Sequence, residues 1–256
     1  MRINIPKKIF GREVEGAIER SLRGSSSSNT SVNPQPVFNP TPSNVRNSQN
    51  YLILEGKSYG TYSYPDLIVS MERTHQDKNW DDAHKYLSNQ AEFMLNMRQF
   101  VDFLNLLKSG KAFDGSGRQI SSSQLDSLYK EITEVRNPWR AEWLDAKFEI
   151  VNKSKKILYG HRVTNGNLTA QKSEDLLSYI NRDKEPGIDL DEWLSKANHQ
   201  GLPIPQTKKG DLYYWHPRNG SVAVFYANSD WAFLDCGWDP SLSNSALGVR
   251  AARVRT

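Results

Sequence analysis

A single cysteine, Cys236, stands in this chain of 256 residues. One thiol closes no internal disulfide and builds no Cys-Cys metal motif, which excludes a disulfide-stapled scaffold and fits a reducing compartment. Long apolar runs are missing as well. No window approaches the roughly 18 consecutive apolar residues of a membrane-spanning helix, and the opening MRINIPKKIFGREVEGAIER lacks the apolar core of a secretory signal. The expectation is no membrane insertion, with the cytoplasm as the default compartment. The net charge of +4 is not spread over the chain. Six basic residues against three glutamates fall in residues 1–24, and Arg250, Arg253 and Arg255 close the chain, so the body between is slightly acidic. Such a body matches a phosphate backbone poorly, and no nucleic-acid partner is expected.

Signatures of catalysis and of metal binding are also missing. The five histidines, His75, His84, His161, His199 and His216, form no H-x-H or H-E-x-x-H. Asp81 and His84 stand three apart, a spacing that reads as a surface contact on a helix. No G-x-S-x-G, P-loop or G-x-G-x-x-G is present. Asp189, Asp191 and Glu192 cluster where a helix dipole favours acids in the first turn. The chain is expected to be no enzyme, with no catalytic residue, no metal and no cofactor.

What is there begins with a change of composition. Residues 24–50 are dominated by Ser, Asn and Pro with little to bury, and read as a disordered or extended linker. The tail at 1–23 carries Val14, Ala17, Ile18 and Leu22 at the spacing of a short amphipathic helix over 11–23. From 51 to 256 the pattern is that of one globular domain. YLILEG reads as β, GKSYGTYSYPD as a hairpin leading to LIVSME, and helices are expected over 81–88 and 92–108. A third, capped at Ser121 to Ser123, turns Leu125, Leu128, Ile132 and Val135 inward. Strands follow at AKFEIV and KKILYGHRV, short helices at 174–181 and 190–197 with Asp189 as cap, then strands again from Leu212 onward. Helices in the middle with strands at both ends give an α+β fold in which the first and last strands pair.

The aromatic residues divide into two groups. Trp139, Trp143 and Trp193 lie among apolar residues and read as core. Trp231 and Trp238 stand among Asp230, Gly237 and Asp239, where no apolar period buries them, and read as surface. In VAVFYANSDWAFLDCGWDPSLSNSALGVRAARVR the small or apolar set Ala223, Phe225, Ala227 and Ser229 alternates with a mixed set, Val224, Tyr226, Asn228 and Asp230. Past Trp231 the plain set resumes out of phase at Ala232, Leu234 and Cys236, as a turn or bulge would cause.

This stretch, with its ending SNSALGVRAARV and its approach GLPIPQTKKGDLYYWHPRNGSVAVFYA, resembles the variable region of proteins targeted by diversity-generating retroelements, the archaeal ones above all. The resemblance implies a C-type-lectin-like fold of the formylglycine-generating-enzyme branch, with a variable region at about 222–255. It implies that Val224, Tyr226, Asn228, Asp230, Trp231, Phe233, Asp235, Gly237, Trp238, Asp239, Leu242 and Asn244 are diversified ligand-binding positions. Phe225, Ala227, Ala232, Leu234 and Cys236 would be scaffold, and Gly248, Val249 and Arg250 would match the closing Gly-x-Arg. The implied partner is a macromolecular ligand, a protein. Two alternatives stay open: an oxidase of the same branch, which would need a pair of cysteines where this chain has one, and an undiversified structural or phage-related interaction protein.

Overall fold

A computed structural model of the chain describes residues 47–256, and before them only a two-residue strand pair, Lys8–Ile9 with Arg12–Glu13. The second strand of that pair, Arg12–Glu13, falls within the stretch 11–23 expected as a helix; the rest of that stretch, and the linker over 24–46, lie outside the described residues. Linker character ends earlier than composition suggested. Ser48–Asn50 forms a 3-10 turn whose Ser48 is buried, and the Ser48 carbonyl accepts the Gly115 N–H at 3.0 Å.

The domain is α+β, built on one mixed sheet of eleven strands: β1 (Tyr51–Leu54), β2 (Leu67–Thr74), β3 (Phe93–Met94), β4 (Arg140–Val151), β5 (Ser154–Tyr159), β6 (Lys172–Asp175), β7 (Lys184–Ile188), β8 (Leu212–Trp215), β9 (Val222–Ala227), β10 (Ala232–Trp238) and β11 (Leu247–Val254). The main path runs β7-β8-β10-β9-β4-β11-β2-β1, with β5 and β6 continuing from β4 and β3 joining β11. Contrary to expectation, the first and last strands do not pair directly; β2 lies antiparallel between β1 and β11 and joins the two ends of the chain in one sheet. Two pairs are parallel, β4 with β11 and β8 with β10.

Four helices, α1 (Trp80–Asn89), α2 (Met97–Lys108), α3 (Ser122–Thr133) and α4 (Leu190–Lys196), carry side-chain caps that fix their starts. Asn79, Ser121 and Asp189 each accept the N–H three residues on, and Asn96 forms a reciprocal capping box with Gln99. The capping box explains why α2 starts at Met97 rather than at 92: the residues before it are drawn into β3 against β11. Val135, expected inward, is 52% exposed because α3 ends at Thr133 and Glu134 is already extended. The helix expected at 174–181 is replaced at its start by β6, which pairs with β5. Asp81 is exposed while His84 is buried against Trp80, so the two do not form a surface pair.

Two cores lie on opposite faces of the sheet. The larger gathers α2 and Trp193 of α4 against Leu144, Ala146, Phe148, Ala223, Phe225, Leu234 and Cys236. Phe225 is held between Trp193, stacked at 6.2 Å, and Phe100 at 5.4 Å. The smaller core lies under α1, where Trp80, Ala83 and Leu87 cover Ala141, Trp143, Val222, Val224 and Val249. A strand covered on both faces reads as a continuous apolar run, which is the sequence of β9 up to Phe225. Among the described residues no helix is long and apolar enough to cross a membrane.

The basic chain end is absorbed by internal acids. Arg250 is buried and pairs with buried Glu142 at 2.7 Å, Arg253 pairs with Glu92 at 2.9 Å, and Arg255 with Asp66 at 3.3 Å.

Candidate functional site

The hairpin of β9 and β10 turns through residues 228–231, and this turn causes the phase change seen in the sequence. Ala227 pairs with Ala232, Tyr226 with Phe233, and Phe225 with Leu234. Asn228 holds the turn: its side-chain oxygen accepts the N–H groups of Asp230 and Trp231 at 2.9 and 2.8 Å. The residues expected as scaffold, Phe225, Ala227, Leu234 and Cys236, are all buried, and Ala232 packs at the edge of the large core.

On the opposite face, beyond the end covered by α1, aromatic rings take over. Tyr226 stacks on Phe233 at 4.3 Å with the planes 8° apart. Trp238 meets Tyr226 edge-on at 5.2 Å, and Trp139 does so at 6.3 Å. Across the parallel β8–β10 pairing, Tyr213 lies 5.3 Å from Phe233 and Trp215 lies 6.5 Å from it. Trp231, 46% exposed, closes the row against Tyr213 at 4.7 Å. The seven rings thus touch in one continuous series drawn from β4, β8, β9 and β10 and the segments beside them. Edge-to-face and stacked pairs of this kind add about 0.5–1.5 kcal/mol each beyond burial, which makes the surface rigid.

Polar groups edge the rings. The Trp215 indole N–H donates to Glu185 at 3.1 Å, and Arg218 lies 5.8 Å over the same ring while pairing with Asp183 at 3.0 Å. The indole N–H of Trp238 is buried without a protein acceptor among the described residues, a donor whose desolvation is uncompensated within the chain. Burial pushes the Tyr226 hydroxyl above its ordinary value, and the carboxylates of Asp235 and Glu185 push it the same way.

Asp235 sits in the floor of this surface, 1% exposed, accepting the Gly237 N–H at 2.7 Å. Burial raises its carboxyl from 3.8 to about 6, against the pull of the Gly237 N–H and Arg218. The unfolded chain ionises at the lower value and the folded chain at the higher, so stability falls as pH rises between them and the full cost is present above about 6. Asp235→Asn is therefore expected to stabilise the domain at pH 7 by on the order of 3 kcal/mol. The gain should vanish below the ordinary carboxylate range. Urea midpoints at both pH values check this, and equal gains at both would show that the charge is not the cause.

The twelve positions implied as ligand-binding do not act alike. Tyr226, Phe233, Asp235 and Trp238 are brought together, with Trp231 at one end of the row. Val224 is a correction: it is 0% exposed in the core under α1 and presents nothing to a ligand. Phe233 and Asp235 are floor rather than open surface, being 8% and 1% exposed. Asn228, Asp239 and Asn244 bind their own turns, Asp239 through Ser241 and Asn244 through Ala246. Asp230, Leu242 and Gly237 have room. A Cβ at Gly237 would meet Arg218 and Asp235 no closer than 3.4 Å, whereas one at Gly248 would lie 2.9 Å from the Thr74 carbonyl. The first position accepts a side chain and the second does not.

Three rings were not expected here. Trp139 was read as core but is half-buried beside Tyr226. The alternation of LYYW carries the signal for Tyr213 and Trp215: Leu212 and Tyr214 point into the core, Tyr213 and Trp215 to the other face. In comparisons with family models, curated proteins and solved structures, the chain finds no match.

Proposed function

We propose that this chain is a ligand-binding protein of C-type-lectin-like type whose face over β8, β9 and β10 takes a protein partner, with the identity of that partner set by diversified side chains. One observation carries the reading: on a sheet face whose other end is sealed by α1, seven aromatic rings touch in one series, with Trp231 exposed, five half-buried and Phe233 beneath them. Rigid rings of Trp and Tyr give large contact area at little entropic cost, and they dominate the energy of protein interfaces. The difference between Gly237 and Gly248 agrees with a division into positions free to vary and positions fixed by packing. Asp235 stands beneath the rings although its charge works against folding at neutral pH, a pattern that belongs to binding surfaces more than to cores.

The test begins with the coding DNA beside the gene, where a near-copy of the 3′ end differing at adenines and a reverse transcriptase gene are expected. Partners captured from the host are then compared by titration against the unmodified chain, Trp238→Ala and Trp231→Ala. Loss of either ring is expected to cost about 2 kcal/mol or more, roughly 30-fold in Kd. Removing Asp230 should change the on-rate and salt dependence instead. A partner held equally by all three chains would place the binding surface elsewhere.

A further inference from the structure

We propose that His84, Asp145 and His161 form a site for a divalent transition-metal ion of the zinc class, with one coordination position open to a neighbouring cleft. The three side chains come from separate elements, α1, β4 and the segment after β5, and all are nearly completely buried. Their donor atoms lie within 4.8 Å of one another. Asp145 Oδ1 is 2.5 Å from His161 Nδ1 and 3.7 Å from His84 Nε2. Bonds of about 2.0–2.1 Å in a tetrahedral site separate donors by roughly 3.3 Å. These two distances bracket that value and the third pair, His84 with His161, lies within 4.8 Å, so an ion would need side-chain movements on the order of 1 Å.

Two features of the group point to an ion rather than to packing alone. His84 Nε2 is buried with no hydrogen-bond partner, which is costly for an imidazole nitrogen in a dry site. Asp145 is a buried carboxylate whose ion-pair neighbours among the described residues are these two imidazoles, with no Lys or Arg. A divalent cation between them would supply both the missing partner and the counter-charge. Two imidazoles and one carboxylate suit zinc, iron, cobalt or nickel rather than calcium or magnesium, which prefer oxygen.

The surroundings are organised as ligand supports are. Asp145 Oδ2 accepts the backbone N–H of His161 at 3.0 Å, which fixes the carboxylate, while Oδ1 shares a hydrogen bond with His161 Nδ1 whose proton a bound ion would displace. The Trp80 ring packs edge-on against both imidazoles, at 4.3 and 4.7 Å, and its own N–H is tied to the Leu144 carbonyl at 2.9 Å. A cleft lined by His84 and His161 together with Ser88, Glu92, Arg162 and Arg253 gives a path of entry and room for a water or other ligand in the fourth position. The site lies beneath α1, apart from the aromatic surface, and does not depend on the function proposed for it.

The full chain is stripped with chelator and then dialysed against Zn2+ or Co2+. Elemental analysis is expected to find one ion per chain, Zn2+ is expected to raise the melting temperature, and Co2+ to give the visible d–d bands of a low-coordinate nitrogen and oxygen site. His84→Gln and Asp145→Asn should each weaken binding by about 100-fold or more, beyond what loss of an outer-shell partner does. His216→Gln, at the exposed pair with Asp183, should leave it unchanged. Binding that survives in both ligand variants would put the ion elsewhere and overturn the site. Should neither variant fold, the ring nitrogen resonances of the unmodified chain decide: shifts of two buried histidines on adding Zn2+ support the site, and unmoved resonances without bound ion reduce the three residues to a buried hydrogen-bonded group.

Discussion

Arg250→Ala is expected to destabilise the domain by about 3–5 kcal/mol, the range found when one partner of a buried ion pair is removed. Arg250 is 2% exposed and Glu142 1%. The guanidinium donates to both Glu142 oxygens, at 2.7 and 3.2 Å, and to the carbonyls of Ser70 and Met71, so one side chain ties β11 to β4 and β2. Arg140 donates to Glu142 from the other side at 2.9 Å. Burial alone would raise the Glu142 carboxyl, but Arg250 and Arg140 together outweigh it and hold the group below its ordinary 4.5. A depressed carboxylate stabilises the fold above its ordinary value, and the contribution is lost as pH falls through the lower, folded one. Loss of Arg250 should therefore shrink the stability gap between neutral and acid pH. The double change Arg250→Met with Glu142→Gln should recover part of the loss, since the stranded charge is gone. Urea denaturation of the three chains at pH 7 and under acid conditions measures both effects. A loss below about 1 kcal/mol for Arg250→Ala would mean that water already screens the pair.

Arg250 also marks the limit of sequence reading. Its place in the closing Gly-x-Arg was legible, yet counted as charge it looked like part of a basic tail. Only the pairing of β11 between β4 and β2 reveals that it answers a glutamate 108 positions away. Period-two alternation found Phe225, Leu234 and Cys236 as core, because side chains on a strand must alternate whatever the rest of the chain does. The same alternation put Val224 on the ligand face, because a strand cannot announce which parts of its second face a distant helix will cover. The segment 172–181 has apolar residues at helical spacing, yet β5 offers an unpaired edge and its start is taken into the sheet. The caps at Ser121 and Asp189 were legible, since that hydrogen bond closes within three residues, whereas Asn79 and Asn96 were not read as caps and α2 was expected to start too early. The grouping of His84 with Asp145 and His161 leaves no spacing to read at all.

Leu234→Asp is expected to have the largest effect, leaving no stably folded domain at neutral pH. Leu234 is 0% exposed on the core face of β10, opposite Phe225 and beside Tyr214 in the parallel register. The substitution removes an apolar side chain worth roughly 1.5–3 kcal/mol of burial. It also places a carboxylate in a cluster of apolar residues with Phe225, Cys236 and Tyr214, so the penalty is several kcal/mol more. Total stabilities of domains are only about 5–15 kcal/mol, and a change of this size consumes most of that. Away from the core face the outcome should differ. Asp230→Ala at the exposed hairpin tip is expected to change stability by about 0.5 kcal/mol or less. Tyr226→Ala, half-buried and in contact with Phe233, Trp238 and Trp139, should cost about 2–4 kcal/mol, because three ring contacts are lost without any charge being buried. Near-ultraviolet circular dichroism and urea midpoints on the three chains order them. If Tyr226→Ala unfolds the domain as completely as Leu234→Asp, the aromatic row is a third core rather than a binding surface, and its exposure on the sheet would have to be explained by a cover that belongs to the fold itself.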